Sequence, residues 1–287
     1  MKNSIYKVLF TFIILISLNT YGQEDDTDTK SNIQTYTPSK LLDNGQWDIK
    51  FFNSVYTQTK QTDSGSKSVT IPRQNFFTST VEFFTGINDN NRINIGAIVE
   101  FRSNTFNGRN AFSVFSFDGR AGLTTIAPAI KWQPLEKVGN FSIQTALHIP
   151  TISDEENTDG YLDQTAWSFQ NRFFYDYTFP SGNWQIFTEL NTEYSFGSDQ
   201  SFANNTFLFS PGFFLSYFPS NESTILVFTQ HLQRVGDFAQ NGTSLGLGGK
   251  YQLTDVLNLE VLYSKFVRGN NFQGLGNTYS IGLRALF

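Results

Sequence analysis

Several segments of this chain alternate between apolar and polar residues, and charged side chains recur at the polar positions. Counting back from neighbouring turns places Arg172 near Glu189 and Glu193, and Lys250 opposite Glu260. Such charges either line a polar pathway or pair into a filling that blocks it, and both interpretations stay open here. Acidic and basic members are equal in number, which argues against strong selection for anions or cations. The set comprises Asp48, Lys50, Glu82, Glu100, Arg102, Lys131, Arg172, Asp176, Glu189, Glu193, Lys250, Glu260, Arg268 and Arg284.

The two histidines are the candidates for acid–base chemistry. His148 lies at the end of an alternating segment, on its polar phase, within reach of loop residues such as Asp154. No spacing unites a nucleophile, a base and an orienting group. We therefore expect His148 and His231 to belong to a polar lining or to pack against loops. An enzyme, here a hydrolase, is the least favoured function. The chain has no Cys, so we expect neither a zinc site nor another metal or cofactor.

A phenylalanine cluster, Phe106, Phe112, Phe115 and Phe117, lies between two alternating segments. Two interpretations are open for it. The rings can fold into a mouth and form an apolar docking site, or the segment can extend the flanking strands as a hairpin that turns at residues 107–108. The alternation of Phe and Ser over 112–117 favours the hairpin.

Twelve segments of period-2 alternation carry these residues and predict an all-β chain. Aromatic residues make up 16 % of the sequence, which also favours strands over helices. In one segment Ile93, Ile95 and Ala97 alternate with Asn94 and Gly96, so one face is apolar. The segments are 46–58, 74–87, 92–103, 120–133, 140–150, 165–179, 183–195, 205–218, 223–233, 243–253, 256–268 and 275–287.

The connections between the segments alternate in length. Every second connection is short, at 88–91, 136–139, 180–182, 219–222 and 254–255. The others are mostly longer, at 59–73, 104–119, 151–164, 196–204, 234–242 and 269–274. One end of the sheet therefore carries tight turns and the other carries loops, which is typical of a transmembrane antiparallel up-and-down β-barrel, here of twelve strands.

Aromatic and proline residues add detail to the predicted barrel. Four aromatics fall near the ends with short turns, as an interfacial girdle requires: Trp47, Trp132, Tyr177 and Trp184. Three prolines fall inside or at the ends of strands, where we expect bulges or strand ends: Pro128, Pro150 and Pro211.

The N-terminal region precedes the barrel. Residues 1–22 have a basic start, a short apolar core and small residues before a cleavage position, which predicts a cleavable signal peptide and export. Residues 23–45 are polar and aperiodic, so we expect a flexible periplasmic lead-in. The barrel domain is then 46–287.

The last strand resembles the closing strand of Gram-negative outer-membrane β-barrels. Tyr279, Ile281 and Leu283 alternate with polar or small residues up to the terminal Phe287. The resemblance implies that an aromatic last residue is read by the barrel-assembly machinery. We expect this strand to close against residues 47–57, with the apolar residues toward lipid and Arg284 toward the lumen.

A second resemblance lies in the hairpin 127–151, which includes a strand that ends in Pro150-Thr151. It is similar to a hairpin in outer-membrane barrels linked to meta-pathway degradation of phenols, in which glycine is preferred where Ile152 stands here. That family is proposed to transport small aromatic or hydrophobic compounds. No binding residue follows from the resemblance.

Together these patterns predict an outer-membrane channel for passive movement of small, partly apolar solutes through a narrow charged lumen. The alternative is a non-conducting structural or partner-binding barrel. Expected partners are outer-membrane lipid, the assembly machinery and small solutes. The net charge of −5 offers no basic footprint for nucleic acid.

Overall fold

The computed structural model describes residues 37–117, 119–153, 162, 164–197, 203–271 and 274–287. The signal peptide predicted at 1–22 and the first part of the lead-in, 23–36, lie outside the described residues, as does Asp154. Within the described part of the chain, no helix is both long and apolar enough to span a membrane.

The described residues form twelve antiparallel strands in a closed barrel, so the all-β, up-and-down prediction is confirmed. Each strand pairs with its neighbours in sequence, and the first pairs with the last. The strands are β1 Trp47–Thr62, β2 Ser68–Gly86, β3 Ile93–Thr105, β4 Arg120–Trp132, β5 Phe141–Pro150, β6 Trp167–Thr178, β7 Trp184–Phe196, β8 Thr206–Ser220, β9 Ser223–Gly236, β10 Gln240–Gln252, β11 Leu257–Asn270 and β12 Asn277–Leu286.

Strand β12 closes the barrel against β1 in the predicted register. Asp48 lies opposite Leu286, and the pairing continues to Thr57 opposite Asn277. Trp47 N–H donates to the Phe287 carbonyl at 2.7 Å, and Phe287 N–H donates back at 3.0 Å. The start of β1 and the last residue, Phe287, therefore lie at one end of the barrel, which we call the turn end, and the opposite end is the loop end. That the barrel-assembly machinery recognises Phe287 stays a prediction.

The period-2 pattern separates an apolar outer wall from a mixed inner wall. Tyr279, Ile281 and Leu283 are exposed on the outside, whereas Arg284 points into the lumen and binds Asp48. The four aromatic residues expected at the interface are exposed at strand ends on the turn side: Trp47, Trp132, Tyr177 and Trp184. This arrangement places an apolar belt with an aromatic rim around the barrel.

Two loop-end connections are shorter than the sequence predicts. The first loop, predicted at 59–73, spans only 63–67, and the fifth, predicted at 234–242, spans only 237–239. The strands continue because the backbone ladder extends beyond the belt, with a bulge between Gln58 and Lys60. There both faces carry polar residues, so the alternation that marks a strand disappears while the pairing persists.

The prolines behave in two ways. Pro150 is the last residue of β5, as expected. Pro128 and Pro211 lie inside β4 and β8, and neither forms the expected bulge. The β4–β5 pairing passes over residues 127–128, and the β8–β9 pairing passes over 210–211, with the same register on either side. Proline has no N–H to donate, so the ladder is interrupted without inserting a residue.

Candidate functional site

A chain of ion pairs begins on the inner wall where β12, β1 and β2 meet. Arg284 binds Asp48 through two bonds, Nε to Oδ1 at 2.8 Å and Nη2 to Oδ2 at 2.9 Å. Lys50 Nζ lies 3.5 Å from Asp48 Oδ2 and 3.5 Å from Glu82 Oε2. The period-2 pattern brings these side chains together because Lys50 lies directly opposite Glu82 and Arg284 in the ladder.

Arg172 extends the chain across the lumen. Its Nη1 donates to Glu82 Oε1 at 3.1 Å, and its Nε donates to Glu189 Oε1 at 2.8 Å. Glu189 lies on the adjacent strand β7, but Glu82 lies on β2, which is separated from β6 by three strands. The bond between Arg172 and Glu82 therefore spans the interior. We call the connected residues Asp48, Lys50, Glu82, Arg172, Glu189 and Arg284 the cross-lumen network.

Two further ion pairs and a polar cluster hold five of the other predicted charges. Arg268 does not join them, because it stands opposite Thr243 on the outward phase of β11. Lys250 Nζ lies 2.8 Å from Glu260 Oε2, directly across the β10–β11 ladder. Arg102 Nε binds Glu100 Oε1 at 2.7 Å along the same strand. Glu193 lies near Arg172, as the turn count predicted, two residues along β7 from Asn191, which stands opposite Arg172. Its Oε1 accepts from Gln170 and Asn191, at 2.8 and 2.7 Å.

The polar cluster also contains His148. Its Nδ1 lies 3.3 Å from the Thr125 hydroxyl, and its Nε2 lies 3.3 Å from Gln170 Oε1. An amide rather than a carboxylate faces the imidazole, and the hydroxyl is fully buried, so the set lacks the geometry of a nucleophile with its base. His231 stands on the outward phase of β9, where its Nδ1 lies 2.8 Å from the Thr243 hydroxyl, and does not line the lumen.

An aromatic strip runs along the inner wall from β6 to β9. Phe174, Phe187, Phe214 and Phe228 form it, with successive ring centroids 6.1, 5.4 and 5.3 Å apart. Beside it lies Gly246 on β10, where a Cβ would come within 2.2 Å of the Phe228 ring. The glycine leaves the ring room to lie against the wall.

Sequence reasoning missed the aromatic strip. The signal was the mixed alternation of β8 and β9, in which large apolar residues occupy both phases. Phe174 also joins the strip to the charged side. The Arg172 guanidinium lies 5.0 Å from its ring centroid and Lys131 Nζ lies 5.6 Å from it, within cation–π range.

The end of the lead-in lies inside the barrel. Residues 37–45 cross the turn end of the lumen and bind three different strands. The Thr37 hydroxyl donates to Asp176 Oδ1 at 2.8 Å, and Lys131 Nζ donates to the Lys40 carbonyl at 2.8 Å. Leu42 N–H donates to Asn94 Oδ1 at 3.2 Å.

Apolar and backbone contacts also hold residues 37–45 in the lumen. Leu42 is buried against Phe84 and Leu286 on the inner wall. Asn44 forms a bridge with Gly86 of β2. The expectation of a flexible lead-in is therefore wrong for residues 37–45. Nothing in their local pattern reveals this, because the segment is held by side chains that are distant in sequence.

The phenylalanine cluster is divided between two sides of the barrel wall. Phe106 lies at the loop end of the lumen, with its ring 5.7 Å from Phe76. Tyr56 packs beside Phe76 at 5.9 Å and against Phe266 at 5.4 Å, so a mouth of four aromatic rings exists. Of the four predicted cluster members, Phe106 is the one that belongs to it.

The other three phenylalanines lie outside. Phe115 packs on Phe77 and Phe117 packs on Phe101, both on outward positions of β2 and β3. The favoured hairpin is wrong, because residues Ala111–Ser116 form a short 3-10 helix. The Asn110 side chain caps the helix by accepting from Phe112 N–H at 3.0 Å. Local capping thus overrides the strand-like alternation.

Comparisons with known proteins identify the fold. No curated protein sequence matches the chain significantly. The COG4313 outer membrane channel from Pseudomonas putida F1 is 9 % identical, with a TM-score of 0.66 over 92 % of this chain and 100 % of that one. The β-domain of the Bordetella autotransporter BrkA is 13 % identical, with a TM-score of 0.53 over 85 % and 100 %. At these identities the likeness establishes a shared outer-membrane barrel fold.

A sequence family supplies the more specific relationship. The profile of the family described as "Putative MetA-pathway of phenol degradation" matches residues 102–281, well over half of the chain. The matched region runs from β3 to β12 and contains the hairpin whose resemblance was noted from the sequence. Because the match covers more than half of the chain, the protein belongs to this family.

Proposed function

We propose that the protein is an outer-membrane channel that lets small, partly apolar solutes cross passively through a narrow charged lumen, and that it is not an enzyme. The observation that carries the proposal is the two-sided lumen wall. The cross-lumen network supplies fixed charges, and the aromatic strip supplies ring faces along β6 to β9. A solute with a polar group and an apolar body can contact both.

The aromatic mouth supports the same class of solute. Tyr56, Phe76, Phe106 and Phe266 place rings at the loop end, where a solute would enter from outside the cell. The Tyr56 hydroxyl donates to Gln58 Oε1 at 2.7 Å, so polar atoms accompany the rings. Aromatic surfaces bind planar apolar groups through area and ring geometry, with modest energies that allow release.

Residues 37–45 act in this proposal as a gate at the turn end. Hydrogen bonds tie Thr37, Lys40 and Leu42 to the wall. Each such bond contributes about 1 kcal/mol net, and burial of Leu42 contributes about 2 kcal/mol. A seat of this strength holds the segment most of the time and still permits thermal opening.

Planar-bilayer recordings and liposome-swelling assays on refolded protein test the proposal. Wild type should show small conductance steps, and deletion of residues 37–44 should enlarge them and speed swelling in small neutral aromatic alcohols. Ser64→Ala, in the β1–β2 loop at the loop end, is the matched control and should leave the conductance and the swelling rate unchanged. If neither wild type nor the deletion variant conducts ions or admits solutes, the channel proposal is overturned.

The alternative, a non-conducting structural or partner-binding barrel, has two observations in its favour. The bond between Arg172 and Glu82 crosses the lumen, and residues 37–45 occupy its turn end. Both features reduce the open cross-section. This function would be favoured over transport if the lumen is watertight in both the wild type and the deletion variant and a partner co-purifies in fixed stoichiometry.

We also propose that the chain is exported by a cleavable signal peptide and resides in the cell outer membrane. The fold supports this location, because an apolar belt with an aromatic rim suits a lipid bilayer. Membrane fractionation and N-terminal sequencing of the mature chain test it. Recovery in the inner-membrane fraction with Met1 retained would contradict it.

A further inference from the structure

The outer wall carries a polar patch within the lipid-facing phase. Thr57, Asn75, Ser103 and Thr105 stand on outward positions of β1, β2 and β3, in line with apolar belt residues such as Phe77. All four are buried. A polar group exposed to hydrocarbon without a partner is strongly unfavourable, so the patch needs a cover that supplies hydrogen bonds.

The segment 109–117 provides that cover. Asn75 Nδ2 donates to the backbone carbonyl of Asn110 at 3.1 Å. The Ser103 hydroxyl donates to the Val114 carbonyl at 2.7 Å. The short helix thus lies on the outer wall of β2 and β3, with its carbonyls turned toward the polar patch.

The opposite side of the same segment is aromatic and exposed. Phe112 is 79 % exposed, Phe115 48 % and Phe117 53 %. The Phe115 ring lies 5.1 Å from Phe77, and the Phe117 ring lies 5.5 Å from Phe101, both residues of the apolar belt. The exposed rings therefore continue the lipid-facing surface toward the loop end. Three adjacent exposed phenylalanines would be unfavourable in water.

Two arginines lie beside the aromatic side. Arg73 Nη1 donates to the Thr57 hydroxyl at 2.9 Å, and Arg109 Nη2 lies 3.4 Å from the Ser116 hydroxyl. Guanidinium groups pair well with phosphate oxygens. Apolar rings next to cationic groups match the layering of a lipid leaflet, in which acyl chains lie beside anionic headgroups.

We infer that residues 109–117 form a membrane-seated wedge. Phe112, Phe115 and Phe117 insert among the acyl chains of the leaflet at the loop end, and the backbone of the wedge satisfies the polar patch beneath. The occupant of this surface is lipid. The inference rests on the membrane location and not on transport, so a barrel that does not conduct would leave it intact.

Site-directed spin labelling tests the wedge, because the chain contains no Cys and each introduced thiol is unique. Phe112→Cys and Phe117→Cys are labelled with a nitroxide in liposomes of phosphatidylcholine with phosphatidylglycerol. Leu123→Cys, on the exposed outer wall, is the lipid-facing control, and Ser64→Cys, in the turn 63–67, is the water-facing control. Folding of every variant is verified by heat-dependent mobility on gels.

The wedge predicts that labels at 112 and 117 collide with oxygen as often as the label at 123 and are shielded from a water-soluble nickel chelate to the same extent. Nickel accessibility equal to that at position 64 would overturn the inference. Dipolar broadening at 112 that persists on dilution with lipid would also overturn it, because a second copy of the chain would then be the occupant.

Discussion

The cross-lumen network and the aromatic strip stabilise the same wall by different means. In the network each charge has partners at fixed distances, such as Asp48 with Arg284 at 2.8 Å and Arg172 with Glu189 at 2.8 Å. In the strip, Phe187, Phe214 and Phe228 touch through ring faces at centroid distances above 5 Å. Ion pairs are directional and costly to leave incomplete, whereas ring contacts tolerate small displacements.

This difference teaches how the two sides divide their tasks. The network connects β2 to β6 across the interior through the bond between Arg172 and Glu82. In the channel that we propose, the strip can shift against a solute without leaving a polar group unpaired. We therefore expect substitutions in the network to act on stability and ion flow, and substitutions in the strip to act on packing and solute preference.

Asp48→Ala should have the largest effect. It leaves Arg284 and Lys50 without their shared carboxylate in a site where Asp48 is buried. Removal of one partner from a buried ion pair costs about 3 kcal/mol in the free energy of unfolding. Urea unfolding in detergent micelles, followed by tryptophan fluorescence, measures the change.

Glu222→Ala is the control for this prediction, because Glu222 is an exposed carboxylate in the β8–β9 turn. It should change the free energy of unfolding by less than about 0.5 kcal/mol. An equal loss in both variants would show that the network contributes no more than a surface charge.

Arg172→Gln should have the next largest effect. It removes the bond that crosses the lumen and leaves Glu82 and Glu189 with one donor fewer, at a cost of about 2 kcal/mol. Conductance should rise and the reversal potential in a salt gradient should shift toward cation preference, because unbalanced carboxylates attract cations. Single-channel recording measures both quantities.

Arg102→Gln separates the effect of the bond that crosses the lumen from the effect of losing one positive charge. Arg102 is also an inward arginine, and it binds Glu100 on its own strand. The variant should shift ion preference in the same direction without a comparable rise in conductance. If both variants raise conductance alike, the bond between Arg172 and Glu82 does not narrow the lumen.

Much of the barrel could be predicted because its rules are local. Alternation identified the strands, and turn counting placed Lys250 opposite Glu260, since a tight turn fixes the register of a hairpin. The closure of β12 on β1 followed from the predicted barrel, whose last strand must pair with its first. The same reasoning placed Glu193 near Arg172, and the register confirms this, although the carboxylate binds the amides of Gln170 and Asn191.

The features that the sequence did not reveal depend on distant contacts. Residues 37–45 have no periodicity, and their place in the lumen is set by Asp176, Lys131 and Asn94. The bond from Arg172 to Glu82 joins residues that are 90 positions apart on strands that are not neighbours. The outward turn of Phe112 depends on a cap and on polar wall residues. No pairwise turn count reports such contacts.

Gly246→Ala should have the smallest effect and tests the strip. The added Cβ would lie 2.2 Å from the far end of the Phe228 ring, which must tilt away from the wall. Overpacking of this kind costs about 1 kcal/mol, because a ring can move where backbone cannot. Gly139→Ala is the control, since its nearest neighbour is a side-chain atom at 3.9 Å, and it should be nearly neutral.

The double variant Gly246→Ala with Phe228→Leu decides whether the contact carries the effect. Leucine is shorter than phenylalanine, so the new methyl group should fit and the loss from Gly246→Ala should be smaller in this background. Free energies of unfolding from the four proteins give the coupling between the two positions. If the two changes in the free energy of unfolding simply add, Gly246 acts through the backbone of β10 and the Phe228 ring does not need the space. The comparison between the strip and the network would then lose its basis in ring packing.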